Sequence, residues 1–359
     1  MILFLSKFPT TDEEFRDGFF QRVTHIDKLF CDCRKVYITA SPYRNFRKFI
    51  AVQNNDRVII KCNLFLHLNL IIKYFLKANL VYIQSIHNIL YLFLFIKIFK
   101  KRYVLDLHGL VPEEFKLFKD YKRARIFNTL EKYIYNDLNY VIGVTNKLIN
   151  YYSEKYPKAK AQYIVYPILP NNLGEIIETE LDDACNDSVV NIIYSGNLQP
   201  WQNIDLMISH IKKISCAKNY FFQILTGQVE EMKRKILDSG IATNNIDIRG
   251  VCPAELENYY KKAHYGFVLR DNIAVNNVAC PTKLIEYMHY GIIPVVLSED
   301  IGDFKSMNYE RLRVNELSFN LYARKSKRNG QICKDIYFES EKGKKAIREL
   351  YKGPLSNTI

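Results

Sequence analysis

The sequence predicts an α/β protein built as two Rossmann-like βαβ domains that face each other across a cleft. Three observations predict it. Short apolar blocks alternate with stretches of helical periodicity, the blocks fall into two series, and a segment free of Lys and Arg separates the series. At 359 residues the chain also exceeds the usual size of one hydrophobic core.

The first series runs Ile2 to Leu5, Val36 to Ile38, Val58 to Ile60, Leu80 to Ile83, Tyr103 to Leu107 and Tyr140 to Val144. Continuous β-branched and aromatic runs of this length suit parallel strands buried on both faces, with helical crossovers between them. The opening MILFLSKFP has no basic n-region and no small-residue cleavage site, so it reads as the first buried strand. The most membrane-like segment, Leu80 to Phe99, contains Gln84, His87, Asn88 and Lys97, and its charge-free run Ile89 to Ile96 is too short to span a bilayer. It is expected to be a strand plus a buried helix. The alternative is a helix face that touches a bilayer, since Lys97, Lys100, Lys101 and Arg102 follow.

A Pro-, Asn- and acid-rich segment then marks the linker, giving an N-terminal domain at 1–170 and a linker at 171–188. The second series is Val189 to Tyr194, Phe221 to Leu225, Ile246 to Ile248, Tyr265 to Leu269 and Ile292 to Leu297, in a C-terminal domain at 189–338. The final stretch, 339–359, is expected to be helical and to pack back on the N-terminal domain.

Composition excludes several classes. With 48% hydrophobic and 25% charged residues the chain is a folded protein, not a disordered one. Eight scattered cysteines without a C-x-x-C pair read as reduced thiols and not as a zinc site. The sequence has no D-x-D, H-E-x-x-H, Walker or G-x-S-x-G motif, and no G-x-G-x-x-G at the first strand. The net charge of +13 is uneven. Residues 1–170 carry 27 basic against 14 acidic side chains, whereas 171–359 carry 24 of each. A basic half beside a neutral half points to an anionic partner: phospholipid headgroups, lipid-linked phosphates or nucleic acid. No nucleic-acid-binding motif accompanies the charge, so nucleic acid is not expected.

The segment YGFVLRDNIAVNNVACPTKLIEYMHYGIIPVV carries most of the chemistry. A buried strand ends in Arg270 and Asp271, where its carboxyl edge opens onto a cleft. Pro281 suits the first position of a helix that runs from Thr282 to Tyr290 and stops at Gly291. On this helix Leu284, Ile285 and Met288 share a packing face, while Lys283, Glu286 and Tyr287 share another. Free amides at the helix start together with Lys283 make an anion site suited to a diphosphate. The plain alternative is a surface helix with a Lys283–Glu286 salt bridge.

CPTKLIEYMHYGIIPVV resembles the P-[ST]-K-x-x-E-Y-x-x-x-G-x-P-V-V segment of the retaining glycosyltransferases of family four, which adopt the GT-B fold. The likeness extends to Ser195, Gly196 and Asn197 after the first strand of the second domain, to RGVCPAELENYYKKAHYGFVL, and to DLHGLVPEEF in the first domain. The resemblance implies an enzyme that moves a sugar, with retention and without metal or cofactor, from a nucleoside diphosphate donor to a glycan or lipid-linked acceptor. Surface polysaccharide synthesis is the implied setting, and a cytoplasmic protein peripheral to the inner face of the cell membrane the implied location.

The candidate catalytic residues are His108, which the resemblance gives by position, with Lys283, Arg270 and Asp271. The resemblance gives donor contacts to Glu286 (ribose), Thr282, Gly196, Asn197, Val251 (nucleobase), Pro281 and Leu284, and acceptor-side contacts to Gly18, Arg22 and Gly109. Three departures stand out. Val278 occupies the place of the family's first Glu, leaving Asp271 as the nearest acid. SGNLQPWQNID lacks the usual basic residue, which puts phosphate neutralisation on Arg270 and Lys283. The first-domain loop has Gly18 alone where relatives have paired glycines. An epimerase or hydrolase on the same scaffold, or a non-catalytic nucleotide-sugar or nucleic-acid binder, would fit the same donor motifs.

Overall fold

The computed structural model describes all residues except 12–13, 16, 54–55, 171–172, 174–188, 216–218, 319 and 353–359. The expected linker therefore lies outside the described residues, apart from Leu173. Contacts divide the chain into two units, one of 1–167 with 340–359 and one of 168–339.

In the first unit the described strands are β1 (Ile2–Leu5), β2 (Lys35–Ser41), β3 (Phe49–Gln53), β4 (Arg57–Asn63), β5 (Leu80–Gln84), β6 (Arg102–Leu107), β7 (Tyr140–Gly143) and β8 (Gln162–Val165). They form one sheet in the order β3-β4-β2-β1-β5-β6-β7-β8. Every pairing is parallel except β3 with β4, which is an antiparallel edge. Strand order reverses beside β1, so the carboxyl ends of β1 and β5 flank a switch point. Ile2, Phe4, Tyr82, Val104 and Ile142 fill one face of this sheet. Ile347 and Leu350, from the end of the last helix (Lys327–Glu349) and just beyond it, join the same core. The amino terminus donates to the Tyr351 hydroxyl at 2.9 Å.

The second unit holds β9 (Val190–Ser195), β10 (Tyr220–Leu225), β11 (Ile246–Arg249), β12 (Tyr265–Val268), β13 (Ile293–Val296) and β14 (Leu312–Arg313), ordered β11-β10-β9-β12-β13-β14 and parallel throughout. Alternation along β9 sends Ile192 and Tyr194 into one core layer and Ile193 into the other, which Leu284, Ile285 and Met288 complete. Burying each such side chain contributes about 1.5–3 kcal/mol, which anchors the helix carrying the site. Chain order reverses here beside β9, between its end at Ser195 and that of β12.

The sequence expectation of two parallel α/β domains holds. The segment 80–99 becomes β5, a 3-10 turn (Ile86–Ile89) and a short helix (Phe93–Ile98) on which Leu94 and Ile98 are exposed. The strands β3, β8 and β14 are additions to the expected set.

Candidate functional site

The switch point beside β9 gathers several of the expected site residues. Gly196 follows β9 with φ +149°, a conformation open to glycine, and a Cβ there would stand 2.7 Å from Lys283 Nζ. The chain thus turns tightly enough for the lysine to lie against its backbone. Lys283 comes from the first turn of the helix Thr282–His289, whose N-cap is Pro281 and which has no side-chain cap. Pro281 is the capping residue and not the first helical one, since its ψ of 120° is extended. Past His289 the chain leaves the helix, and Gly291 adopts φ +66° as expected of a helix stop.

Lys283 sits over the Tyr194 ring, 4.1 Å from its centroid, and donates to Gln202 Oε1 at 3.3 Å. Arg270, just past β12, donates through Nη1 to Asn276 Oδ1 at 3.4 Å, while its buried Nε has no partner. Among the described residues neither cation forms an ion pair, so the alternative of a Lys283–Glu286 salt bridge is not what forms: Lys283 and Glu286 engage separate partners. Burial, together with repulsion from Arg270 and despite Glu286, brings the Lys283 ammonium down to about 7. Burial likewise lowers Arg270. Two half-buried cations without a paired acid form a site with unspent positive charge, the arrangement a bound anion would complete.

Glu286 lies one turn along the helix. Its Oε2 accepts from the Tyr260 hydroxyl at 2.9 Å, and that hydroxyl also meets Ser195 Oγ at 2.7 Å. Burial raises the Glu286 carboxyl above its usual range, with Tyr260 and Lys283 offsetting part of the rise. Tyr287 Oη in turn accepts from the Ser195 amide at 3.0 Å. The sequence reading missed Tyr260, because a buried aromatic position reads as core; the signal available was the Tyr-Tyr pair in ELENYYKKA.

A cavity of about 310 Å³ opens at this point, lined by Ser195, Gly196, Leu225, Thr226, Gly227, Val251, Leu256, Tyr260, Thr282, Lys283 and Glu286. Gly196, Val251, Thr282, Lys283 and Glu286 are therefore brought together as expected. A second hollow of about 380 Å³ lies against β10 and β11, but Arg249 there is already paired with Asp247 at 2.7 Å.

Other expected donor residues stand apart from that lining. The Asn197 carbonyl accepts from the Tyr194 hydroxyl. Asp271 is exposed and accepts from Asn203 Nδ2 at 3.1 Å. Val278 is a buried apolar residue. Leu284 requires correction as a donor contact, because its side chain is fully buried in the core and its amide is used by the Pro281 carbonyl at 3.1 Å.

The first-unit candidates are described by themselves. His108 follows β6, with Nε2 3.7 Å from Asp106 Oδ2 and its ring packed 5.1 Å from Phe19. Gly109 is half-buried, and Glu114 Oε1 stands against the place where a Cβ would be. Gly18 is exposed and opens the helix Gly18–Leu29, but Asp17 caps that helix by accepting from the amides of Phe19 and Phe20. A carboxylate thus already occupies those amides. Arg22 also requires correction as an acceptor-side residue. It is 2% exposed, clasps Asp106 through Nε at 3.2 Å and Nη2 at 3.0 Å, and donates through Nη1 to the carbonyls of Tyr166 and Pro167. Its donors are consumed in holding β6 to the segment after β8. Among the described residues no group of His, Cys, Asp and Glu is arranged to hold a metal, and no helix is long and apolar enough to cross a membrane.

No family model matches the sequence, and no curated protein matches it. Solved structures do. The E. coli trehalose-6-phosphate structure bound with UDP-2-fluoro glucose superposes with TM-score 0.59 at 11% identity, over 98% of this chain and 99% of that one. Sucrose-phosphate synthase from Thermosynechococcus elongatus gives 0.58 at 13%, over 98% and 94%. Anabaena HepE in complex with UDP-glucose gives 0.55 at 13%, over 98% and 93%. Likeness over nearly the whole of both chains establishes the architecture: this chain has the GT-B fold, two Rossmann-like parallel-sheet domains.

Proposed function

We propose that this protein is a glycosyltransferase that moves a sugar from a nucleoside diphosphate donor to a glycan or lipid-linked acceptor. The observation that carries the reading is the pair of acid-free cations, Lys283 and Arg270, at the β9–β12 switch point beside Glu286. The UDP-sugars named with two of the similar structures support it.

In this account the diphosphate lies against Lys283, Arg270 and the first amides of the helix Thr282–His289, and Glu286, aimed by Tyr260, accepts from the ribose hydroxyls. The bond between the anomeric carbon and the leaving phosphate oxygen breaks as the acceptor oxygen bonds to the same face of that carbon. The acceptor proton passes to the departing phosphate. Fixed cations stabilise the charge that grows on the leaving group, without a metal. His108 orients the donor sugar, and Asp271 takes the place of the acid absent at Val278. The setting we assign is surface polysaccharide synthesis at the inner face of the cell membrane.

Incubating UDP-, GDP- and ADP-sugars with and without a glycan or lipid acceptor tests this. Acceptor-dependent release of the nucleoside diphosphate, with an α-linked donor giving an α-linked product by NMR, is expected. Release without acceptor would identify a hydrolase, and inversion would overturn the retaining assignment.

A further inference from the structure

The carboxyl edge of the first sheet carries an exposed aromatic surface that the donor site does not use. Tyr43 is 76% exposed, Phe46 65%, Phe65 71% and Leu66 65%, on the loops after β2 and β4. These are not loose tips. Buried Asn63 ties the two loops together: its Nδ2 donates to the carbonyls of Pro42 and Arg44 at 3.1 and 3.2 Å, and its Oδ1 accepts from the amides of Phe65 and Leu66 at 3.0 and 3.1 Å. Tyr43 further meets Tyr91, after β5, edge to face at 6.3 Å. An ordered scaffold thus holds large apolar groups in water, which needs a reason.

The charge around them is of one sign. Arg44, Arg47 and Lys48 are exposed and form no ion pair among the described residues. Between residues 33 and 105 the only acidic residue is Asp56, and Lys35 engages it at 3.2 Å. The basic surplus continues along the helix Leu68–Lys77, where exposed Leu68 and Leu76 stand beside Lys73 and Lys77.

We propose that these paired loops dock the protein on an anionic lipid bilayer, with Tyr43, Phe46, Phe65 and Leu66 entering the interface and Arg44, Arg47 and Lys48 meeting lipid phosphates. Basic residues interleaved with aromatics on one rigid edge match the depth and charge of a headgroup layer. This deepens the reading above by naming the surface that meets a lipid-linked acceptor's membrane, and it rests on that reading only for the acceptor.

Sedimentation of the full chain with phosphatidylcholine vesicles, with and without phosphatidylglycerol, tests it. The wild type is expected to sediment with the anionic vesicles. A Phe46→Ser/Phe65→Ser/Leu66→Ser variant and an Arg44→Glu/Arg47→Glu/Lys48→Glu variant should each bind about tenfold or more weakly. Both should keep the wild-type melting temperature and nucleotide-sugar affinity, since every changed residue is exposed. Variants that sediment like the wild type would overturn the proposal, as would equal wild-type binding to neutral vesicles. So would a wild-type dimer that the serine variant abolishes, which would make a second copy the occupant. Vesicle binding without binding of any nucleotide sugar would leave this proposal standing and remove the glycosyltransferase reading.

Discussion

The Tyr260 hydroxyl donates to Glu286 Oε2 at 2.9 Å, so a carboxylate that lines the second-unit cavity is aimed by a residue from the helix Leu256–Tyr260. Burial pushes the Glu286 carboxyl up, and the tyrosine is the first group to offset that rise. Tyr260→Phe should therefore weaken nucleotide-sugar binding about tenfold, as expected for a hydrogen bond to a charged group worth ~1.5–3 kcal/mol. Isothermal calorimetry checks this, with an unchanged circular dichroism spectrum showing that the fold remains.

Binding should be linked to protons. Burial brings Lys283 down from 10.5 to about 7, so at pH 8 it is mostly neutral in the free protein. A diphosphate favours the ammonium, so binding at pH 8 should take up close to one proton, and affinity should fall as pH rises above 7. Titrations in buffers of different ionisation enthalpy report that uptake, and Lys283→Met should abolish it.

The same lysine shapes stability. Its folded pKa lies below its unfolded one, so the unfolded chain binds more protons between about pH 7 and 10.5. Its contribution therefore favours folding as pH rises through that window, and the cost of the buried cation is felt in full below it. Lys283→Met should flatten this part of a urea-unfolding profile against pH.

Gly196→Ala should fail for two reasons. Its φ of +149° is unfavourable for alanine, and the new Cβ would displace Lys283 Nζ from 2.7 Å. A loss of about 1–3 kcal/mol of stability, with donor affinity falling alongside, is the expected outcome of thermal melting and calorimetry.

In the first unit Arg22→Ala should destabilise by about 3–5 kcal/mol, because it leaves Asp106 buried without its cation. Burial opposes the Asp106 carboxylate, but Arg22 and His108 outweigh it and hold its pKa well below the usual carboxylate range. The stability this gives is present above the ordinary aspartate value near pH 4 and is lost as pH falls below it. Acid unfolding followed by circular dichroism should show a shallower loss in this region for Arg22→Ala.

Much of the fold was legible because strands buried on both faces read as continuous apolar runs, as at Tyr103–Leu107 and Ile293–Val296. The strand β3 escaped because it is an exposed antiparallel edge with no buried run. Lys283, Glu286 and Gly196 were legible since a helix start and a strand-end turn have local signatures. Arg22 was misread because Asp106, the partner that consumes it, lies 84 residues away. The role of Tyr287 was hidden in the same way: its helix face was legible, but its bond to Ser195 spans 92 residues and no local pattern encodes it.

The central claim is that Lys283 and Glu286 hold a nucleoside diphosphate sugar, and calorimetric titration of a UDP-, GDP- and ADP-sugar panel into the wild type, Lys283→Ala and Glu286→Ala tests it most directly. The account predicts that at least one donor binds the wild type and that both variants lose that binding by tenfold or more while remaining folded, in keeping with the cost of losing a charged contact. Unchanged affinity in both variants would contradict it.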